Sequence, residues 1–212
     1  SPDMEESYPG NLNCKAIYEL NNNNELLINF QAISDQDTIV NLTNHNYWNF
    51  HGHGDYYQNN EDHVVNINSN SICETDEQSI PTGNLINVED TKFNLKNEFL
   101  ISKEFLNSGG IDHNYALKDQ SMMESVATIY SKKTGMGVEY FTNQHGIQFY
   151  TGNMMLDKYI GKYNKVYGLQ YGMCLEPQHY PDAVNHPNFP SPILRKNKNY
   201  ISKIKIKLRN NF

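Results

Sequence analysis

The sequence predicts an all-β, sandwich-like fold, and three observations carry that expectation. Short segments rich in Val, Ile, Tyr and Phe recur along the chain, several with the two-residue alternation that gives a strand one apolar and one polar face. Clusters of Asn and Gly separate them, as turns between strands require. Helical character is confined to one short stretch, residues 97–105. No internal repeat or linker interrupts the pattern, so residues 1–212 read as one domain.

In chain order, residues 1–10 carry Pro2, Pro9 and Gly10 and lead into a first strand. The Asn run 21–24 is a turn, followed by strands at 25–30 and 38–40. His51-Gly52-His53-Gly54 is a second turn and 64–67 a further strand. Beyond the short helix, Gly109-Gly110 turns the chain, and strands follow at 126–130, 138–141 and 147–150, with Thr134-Gly135 as a turn. Near the C-terminus Ile204, Ile206 and Leu208 alternate with Lys203, Lys205 and Lys207, which puts apolar and charged side chains on opposite faces. A first strand with no neighbour before it would leave an open edge, a hazard for aggregation. The sandwich is therefore expected to be incomplete at its N-terminus, and to be completed by a larger domain or by another chain.

Composition excludes several function classes. Net charge is −7, and basic residues gather only near the C-terminal tail, which argues against nucleic-acid binding. No apolar stretch approaches the roughly 18 residues of a membrane span. The start, Ser1-Pro2-Asp3-Met4-Glu5-Glu6, lacks the basic and apolar regions of a signal peptide. Cys14, Cys73 and Cys174 are odd in number and widely spaced, and read as reduced, buried thiols of a cytoplasmic protein. The sequon Asn41-Leu42-Thr43 reads as a chance match without a secretory signal. The 31 asparagines are expected mainly in turns, where Asn tolerates left-handed backbone.

Four segments hold the candidate chemistry. The run 41–54 contains His45, His51, His53 and the single Trp48. His51 and His53 alternate as metal ligands on a strand would, but no acidic or Cys partner follows at ligand spacing, so no metal is expected. A hydrogen-bonded core histidine is the plain reading of His45. In Gly110-Ile111-Asp112-His113-Asn114-Tyr115, neighbouring residues of a strand face opposite ways, so one of Asp112 and His113 faces a cleft and the other is structural. Residues 146–153 offer Gln148 and Asn153 as sugar hydrogen-bonders and Tyr150 as a stacking face; an ordinary amphipathic strand is the alternative. Finally, Glu176 follows the apolar Cys174 and Leu175 and precedes Pro177 and Pro181. A carboxylate at the end of a buried strand beside a rigid loop suits a positioned catalytic group; an exposed loop Glu is the alternative.

Together these segments resemble the aldose 1-epimerase (galactose mutarotase) family. Ser1-Pro2-Asp3…Glu6…Tyr8-Pro9-Gly10 is similar to its S-P-D-x-x-E-G-Y-P-G signature, and 41–49 to N-x-T-N-H-x-Y-F-N. Residues 110–115 resemble its G-x-D-H-x-Y/F element, and 175–190 its L-E-x-Q-x-x-P-D-A-x-N…F-P. All four stand in the family's order.

The resemblance implies a large, supersandwich-like β-sandwich with a sugar cleft on one sheet. It also implies cofactor-free interconversion of the α and β anomers of free aldohexoses such as glucose and galactose. Glu176 would be the general base at the C1 hydroxyl. His45 would be the acid at the ring oxygen, on the opposite side of the ring, with Asp112 and Gln148 holding sugar hydroxyls. Met4 and Ser7 stand where the family usually has Gly. Trp48 and Phe50 replace its Phe and Leu, swaps expected to alter packing or pocket shape. Family members carry about a hundred further residues before the first motif, with a G-R-x-x-N stretch and a second histidine near the sugar. The resemblance therefore implies that this chain is the C-terminal two-thirds of such a domain, for which activity alone is not predicted, completed by a separate N-terminal fragment or chain. Three other readings remain: a non-catalytic carbohydrate-binding or sensor protein, a hexose-phosphate epimerase, and a glycosidase using Asp112 and Glu176. The motifs lack the extra Arg or Lys that would grip a phosphate.

Overall fold

The alternation seen in the sequence organises a computed structural model that describes residues 1–53, 59–118, 120–155 and 159–212. Gly54, expected in a turn, lies outside the described residues. The first strands are β1 (Leu12–Leu20), β2 (Glu25–Ser34), β3 (Thr38–Ile39), β4 (His63–Ile67), β5 (Ser69–Thr75) and β6 (Pro81–Asn87). The middle of the chain holds β7 (Phe99–Leu100), the helix α1 (Lys103–Asn107), β8 (Asp112–Leu117), β9 (Ala127–Ser131), β10 (Gly137–Thr142) and β11 (Gly146–Tyr150). Then come β12 (Tyr159–Ile160), β13 (Val166–Tyr167), β14 (Cys174–Gln178), β15 (Ile193–Leu194) and β16 (Asn199–Arg209).

Seven strands form one sheet in the order β1-β2-β16-β10-β9-β4-β7, and five form a second in the order β14-β11-β8-β5-β6. A single apolar core joins them, with Ile28, Phe30, Val65, Ile129, Tyr140 and Ile204 from the larger sheet meeting Ile72, Tyr115, Ile147, Phe149 and Leu175 from the smaller. The expected sandwich is therefore present. The alternating tail becomes β16, an interior strand whose Ile204 and Ile206 are buried.

Several details differ from the sequence-based expectation. The helix begins later than residue 97, because Ser102 accepts a hydrogen bond from the Phe105 amide and caps it there. Strands β5 and β6 carry too much Ser and Asn for a β-rich signal; pairing and burial of Ile72 make them strands instead. Of the asparagines, Asn24, Asn164 and Asn197 adopt positive φ among the described residues. Others work through their side chains: Asn21, Asn49, Asn59 and Asn87 each accept the amide two residues on. Met4 (φ 63°) and Ser7 (φ 71°) do occupy the left-handed region, which explains why glycine suits those two positions.

Strand β1 is the anomaly of the fold. Its Cys14, Ala16, Tyr18 and Leu20 stand opposite Ala32, Phe30, Ile28 and Leu26 of β2, so they share the face that β2 turns to the core. Yet Tyr18 is 55% and Leu20 71% exposed, and Cys14 is exposed rather than buried as expected. This part of the core-side face is left uncovered among the described residues.

Residues 41–48, after β3, are strapped to the rest of the structure by hydrogen bonds at both ends. Trp48 and Met173 exchange backbone hydrogen bonds of 2.7 and 2.9 Å, and the Trp48 indole donates to the buried Tyr140 hydroxyl at 2.7 Å. The swap to Trp at this position thus adds a polar anchor as well as bulk. Asn41 pairs with His179 in both directions, its amide donating to the carbonyl and its oxygen accepting the backbone amide.

His63 ties the far end. Its Nδ1 faces the Asn60 carbonyl at 3.1 Å and its Nε2 faces the Phe50 amide at 2.9 Å. A carbonyl only accepts and an amide only donates, so the ring is neutral with its proton on Nδ1. Burial, with His51 alongside, lowers its pKa from 6.5 to about 4. A depressed histidine contributes stability above its unfolded pKa and loses it as pH falls towards the folded value. The drop corresponds to about 3 kcal/mol at ~1.4 kcal/mol per unit. Urea unfolding should therefore show stability falling between pH 6.5 and 4, with the His63 imidazole signal in NMR still neutral at pH 5.

Candidate active site

The five-stranded sheet turns Tyr115, Ile147, Phe149 and Leu175 to the core, so strand alternation sends Asp112, Asn114, Gln148, Tyr150, Cys174 and Glu176 to the other face. Register then aligns them: Gln148 lies opposite both Glu176 and Asn114, and Tyr150 opposite both Cys174 and Asp112. All of these but the fully buried Cys174 line a cleft of about 460 Å³, within the usual range for small-molecule sites. His45 and Tyr47 from the strapped segment form one wall, and Pro181 another. The loop carrying Pro181 is held down by a second small apolar cluster, Tyr180, Ala183 and Phe189 on Cys73. Gly146 permits the close packing at this end of the floor, since a Cβ there would come within 2.7 Å of the Asn114 amide.

Glu176 sits within β14, not at its end, and Pro177 continues the strand. A residue without an amide proton is tolerated because β14 is the edge of its sheet. Glu176 is only 8% exposed, while His45, half-exposed on its loop, brings Nε2 to 3.5 Å from a Glu176 oxygen. Acid and base candidates are thus side by side, not on opposite sides of the cleft. The His45 ring stacks on Tyr47, centroids 5.0 Å apart, and Tyr47 meets Tyr150 edge-on at 6.4 Å.

Electrostatics favour a proton-accepting role. Burial raises the Glu176 pKa, His45 opposes that shift and nearby Asp112 adds to it. Burial likewise raises the Cys174 thiol, with Glu176 pushing the same way, and takes the Tyr47 hydroxyl to about 12. Gln148 donates Nε2 to Asp112 at 2.7 Å, an orientation enforced because a carboxylate only accepts. Its Oε1, like Oδ1 of Asn114, is then buried with no partner among the described residues. Two such acceptors on a cleft floor suit a ligand rich in hydroxyl donors.

The four predicted site residues, His45, Asp112, Gln148 and Glu176, all line this cleft. Asp112 and His113 both line the cleft; Asp112 lies on the strand face that floors it, while the His113 ring packs 4.5 Å from Phe93. Asn153 is engaged elsewhere, bonded to Thr151, Ile111 and Gln170. His51 packs on His63 at 4.1 Å, whereas His53 contacts Tyr167 at 2.9 Å, so the two do not converge on one ligand position. Sequence reading missed Asn114 and Tyr47 as cleft residues. The two-residue spacing from Asp112 would have found Asn114.

Comparison with known proteins gives the class. A family model described as aldose 1-epimerase matches residues 1–207, and the chain belongs to that family. Over 204 residues it is 41% identical to galactose mutarotase of Rattus norvegicus, covering 94% of this chain and 58% of that protein. Aldose 1-epimerase of Escherichia coli (strain K12) is 30% identical over 211 residues, 95% of this chain and 60% of that one. A galactose 1-epimerase structure from Lactobacillus acidophilus superposes with a TM-score of 0.82 at 26% identity, over all of this chain and 61% of the other. The fold is also that of an aldose epimerase homologue from C. elegans, TM-score 0.89 at 23% identity, covering all of this chain and 64% of that chain. The chain spans less than two thirds of the length of each of these relatives.

A raised carboxyl pKa means that ionised Glu176 is costly in the folded state. Stability tied to it is full below the unfolded pKa and is lost as pH rises through the folded one. Glu176→Gln should therefore melt higher than the parent at pH 8, by roughly 0.5–2 kcal/mol, with the difference shrinking towards pH 4. Thermal denaturation at both pH values tests this; no gain at pH 8 would contradict the burial argument.

Proposed function

We propose that this chain carries the acid–base pair of an aldose 1-epimerase acting on free aldohexoses, glucose and galactose among them. The observation that supports it most is His45 set 3.5 Å from the buried Glu176 on the floor of a polar cleft. The ring oxygen and the C1 hydroxyl of a hexopyranose share one carbon, so an adjacent acid and base can reach both. Glu176 takes the C1 hydroxyl proton while His45, as imidazolium, gives one to the ring oxygen, and the bond from C1 to that oxygen breaks. The open-chain aldehyde rotates about C1–C2. Closure on the other face runs both transfers backwards and restores the two protons.

Burial raises the Glu176 pKa, which makes its carboxylate a stronger base. Asp112 and Gln148 form one hydrogen-bonded unit for sugar hydroxyls, joined by the partnerless oxygen of Asn114. The cleft lining contains no Lys or Arg among the described residues, which favours a free sugar over a sugar phosphate. The three free thiols support a reducing, cytoplasmic setting. No helix of the described residues is long and apolar enough to cross a membrane.

The partner we propose is a separate N-terminal fragment or chain that completes the domain. It would cover the core-side face of β1, where Tyr18 and Leu20 lie exposed. Native mass spectrometry of protein isolated from its own source should show added polypeptide mass; full activity at the mass of this chain alone would overturn the idea. For catalysis, polarimetry on freshly dissolved α-D-glucose or α-D-galactose is the measurement. Glu176→Gln in the active preparation should slow mutarotation by about 10²–10⁴-fold, and equal rates for both forms would refute the assignment.

A further inference from the structure

One grouping at the cleft has donor chemistry that anomer interconversion does not require: His45 and Glu176 from its lining, with Cys174, which is fully buried and not itself a lining residue. His45, Cys174 and Glu176 each offer one ligand atom, and the three lie within 4.8 Å of one another. A tetrahedral zinc ion bound at about 2.0–2.3 Å holds its ligands roughly 3.3–3.8 Å apart, so a small contraction closes the set. The Nε2 of His45 and the oxygen of Glu176 already stand at 3.5 Å. Cys174 and Glu176 are two residues apart on one face of β14, fixed by pairing with Tyr150 and Gln148 of β11. His45, by contrast, has a side chain 49% exposed and room to adjust.

Charge points the same way. Asp112 and Glu176 line the cleft with no Lys or Arg among the described lining residues. The paired donors are a thiol, an imidazole and a carboxylate, a mixed set that suits zinc better than magnesium or calcium.

We propose that His45, Cys174 and Glu176 form a site for a thiophilic divalent cation of the zinc class, which competes with sugar for the cleft. Binding displaces the thiol proton of Cys174 and any proton on Glu176 to solvent. Three protein ligands leave a fourth position open to the cleft, and the cation takes the lone pairs that proton transfer would use. Competition with sugar rests on the acid–base reading above; the binding itself does not.

Cobalt(II) serves as the spectroscopic probe. Added to the reduced protein, it should give tetrahedral d–d bands and a thiolate-to-cobalt charge-transfer band, both bleached by one equivalent of Zn²⁺. Cys174→Ser should abolish the charge-transfer band, and Cys14→Ser and Cys73→Ala should keep it. His45→Ala, at an exposed loop position, should weaken cobalt affinity tenfold or more without disturbing the fold. Absence of the band, or a band that survives Cys174→Ser, overturns the site. In a mutarotating preparation, Zn²⁺ should raise the apparent KM and leave kcat unchanged. A cobalt band without that competition would keep the site and refute the shared use of His45 and Glu176. Normal mutarotation with no band would refute the site and keep the acid–base reading.

Discussion

The pairing register of β11 is the constraint on which the site depends. Because Gln148 lies opposite both Asn114 and Glu176, and Tyr150 opposite both Asp112 and Cys174, three strands deliver their polar residues to one patch. The same register sends Ile147, Phe149, Tyr115 and Leu175 into the core. A slip by one residue would bury Gln148 and expose Phe149 together. The apolar face thus enforces the geometry of the polar one, and site precision comes from core packing.

Burial has a second effect on that patch. Holding Glu176 at 8% exposure makes its ionised form costly and raises its affinity for a proton. The strapped segment supplies the counter-group: His45 lowers what desolvation raises. That segment has no regular structure around His45. It is held by backbone exchange with Met173, the Trp48–Tyr140 bond and the Asn41–His179 pair, so order there is set by discrete hydrogen bonds.

Much of this architecture is legible in the amino acids alone. The two-residue alternation locates the tail strand and most of the larger sheet, because those strands have one wet face. The strands β5 and β6 escape it because Ser and Asn in β5, and Pro, Gly and Asn in β6, weaken the signal, and partner pairing, not propensity, makes them strands. His45, Asp112, Gln148 and Glu176 are found through ordered motifs; their own neighbourhoods leave plain alternatives open. What a linear pattern cannot place is distance. Resemblance suggests an acid and a base on opposite sides of a ring, whereas the fold sets them 3.5 Å apart. Nor can it expose Cys14, since the alternation of β1 is that of a covered strand.

That bare strand reaches further than its position at the sheet edge suggests. The Tyr18 hydroxyl accepts a hydrogen bond of 3.3 Å from Asn44, the residue immediately before His45. The exposed face of β1 and the segment that carries the proposed acid are therefore joined by a side-chain contact, so the position of the one bears on the position of the other.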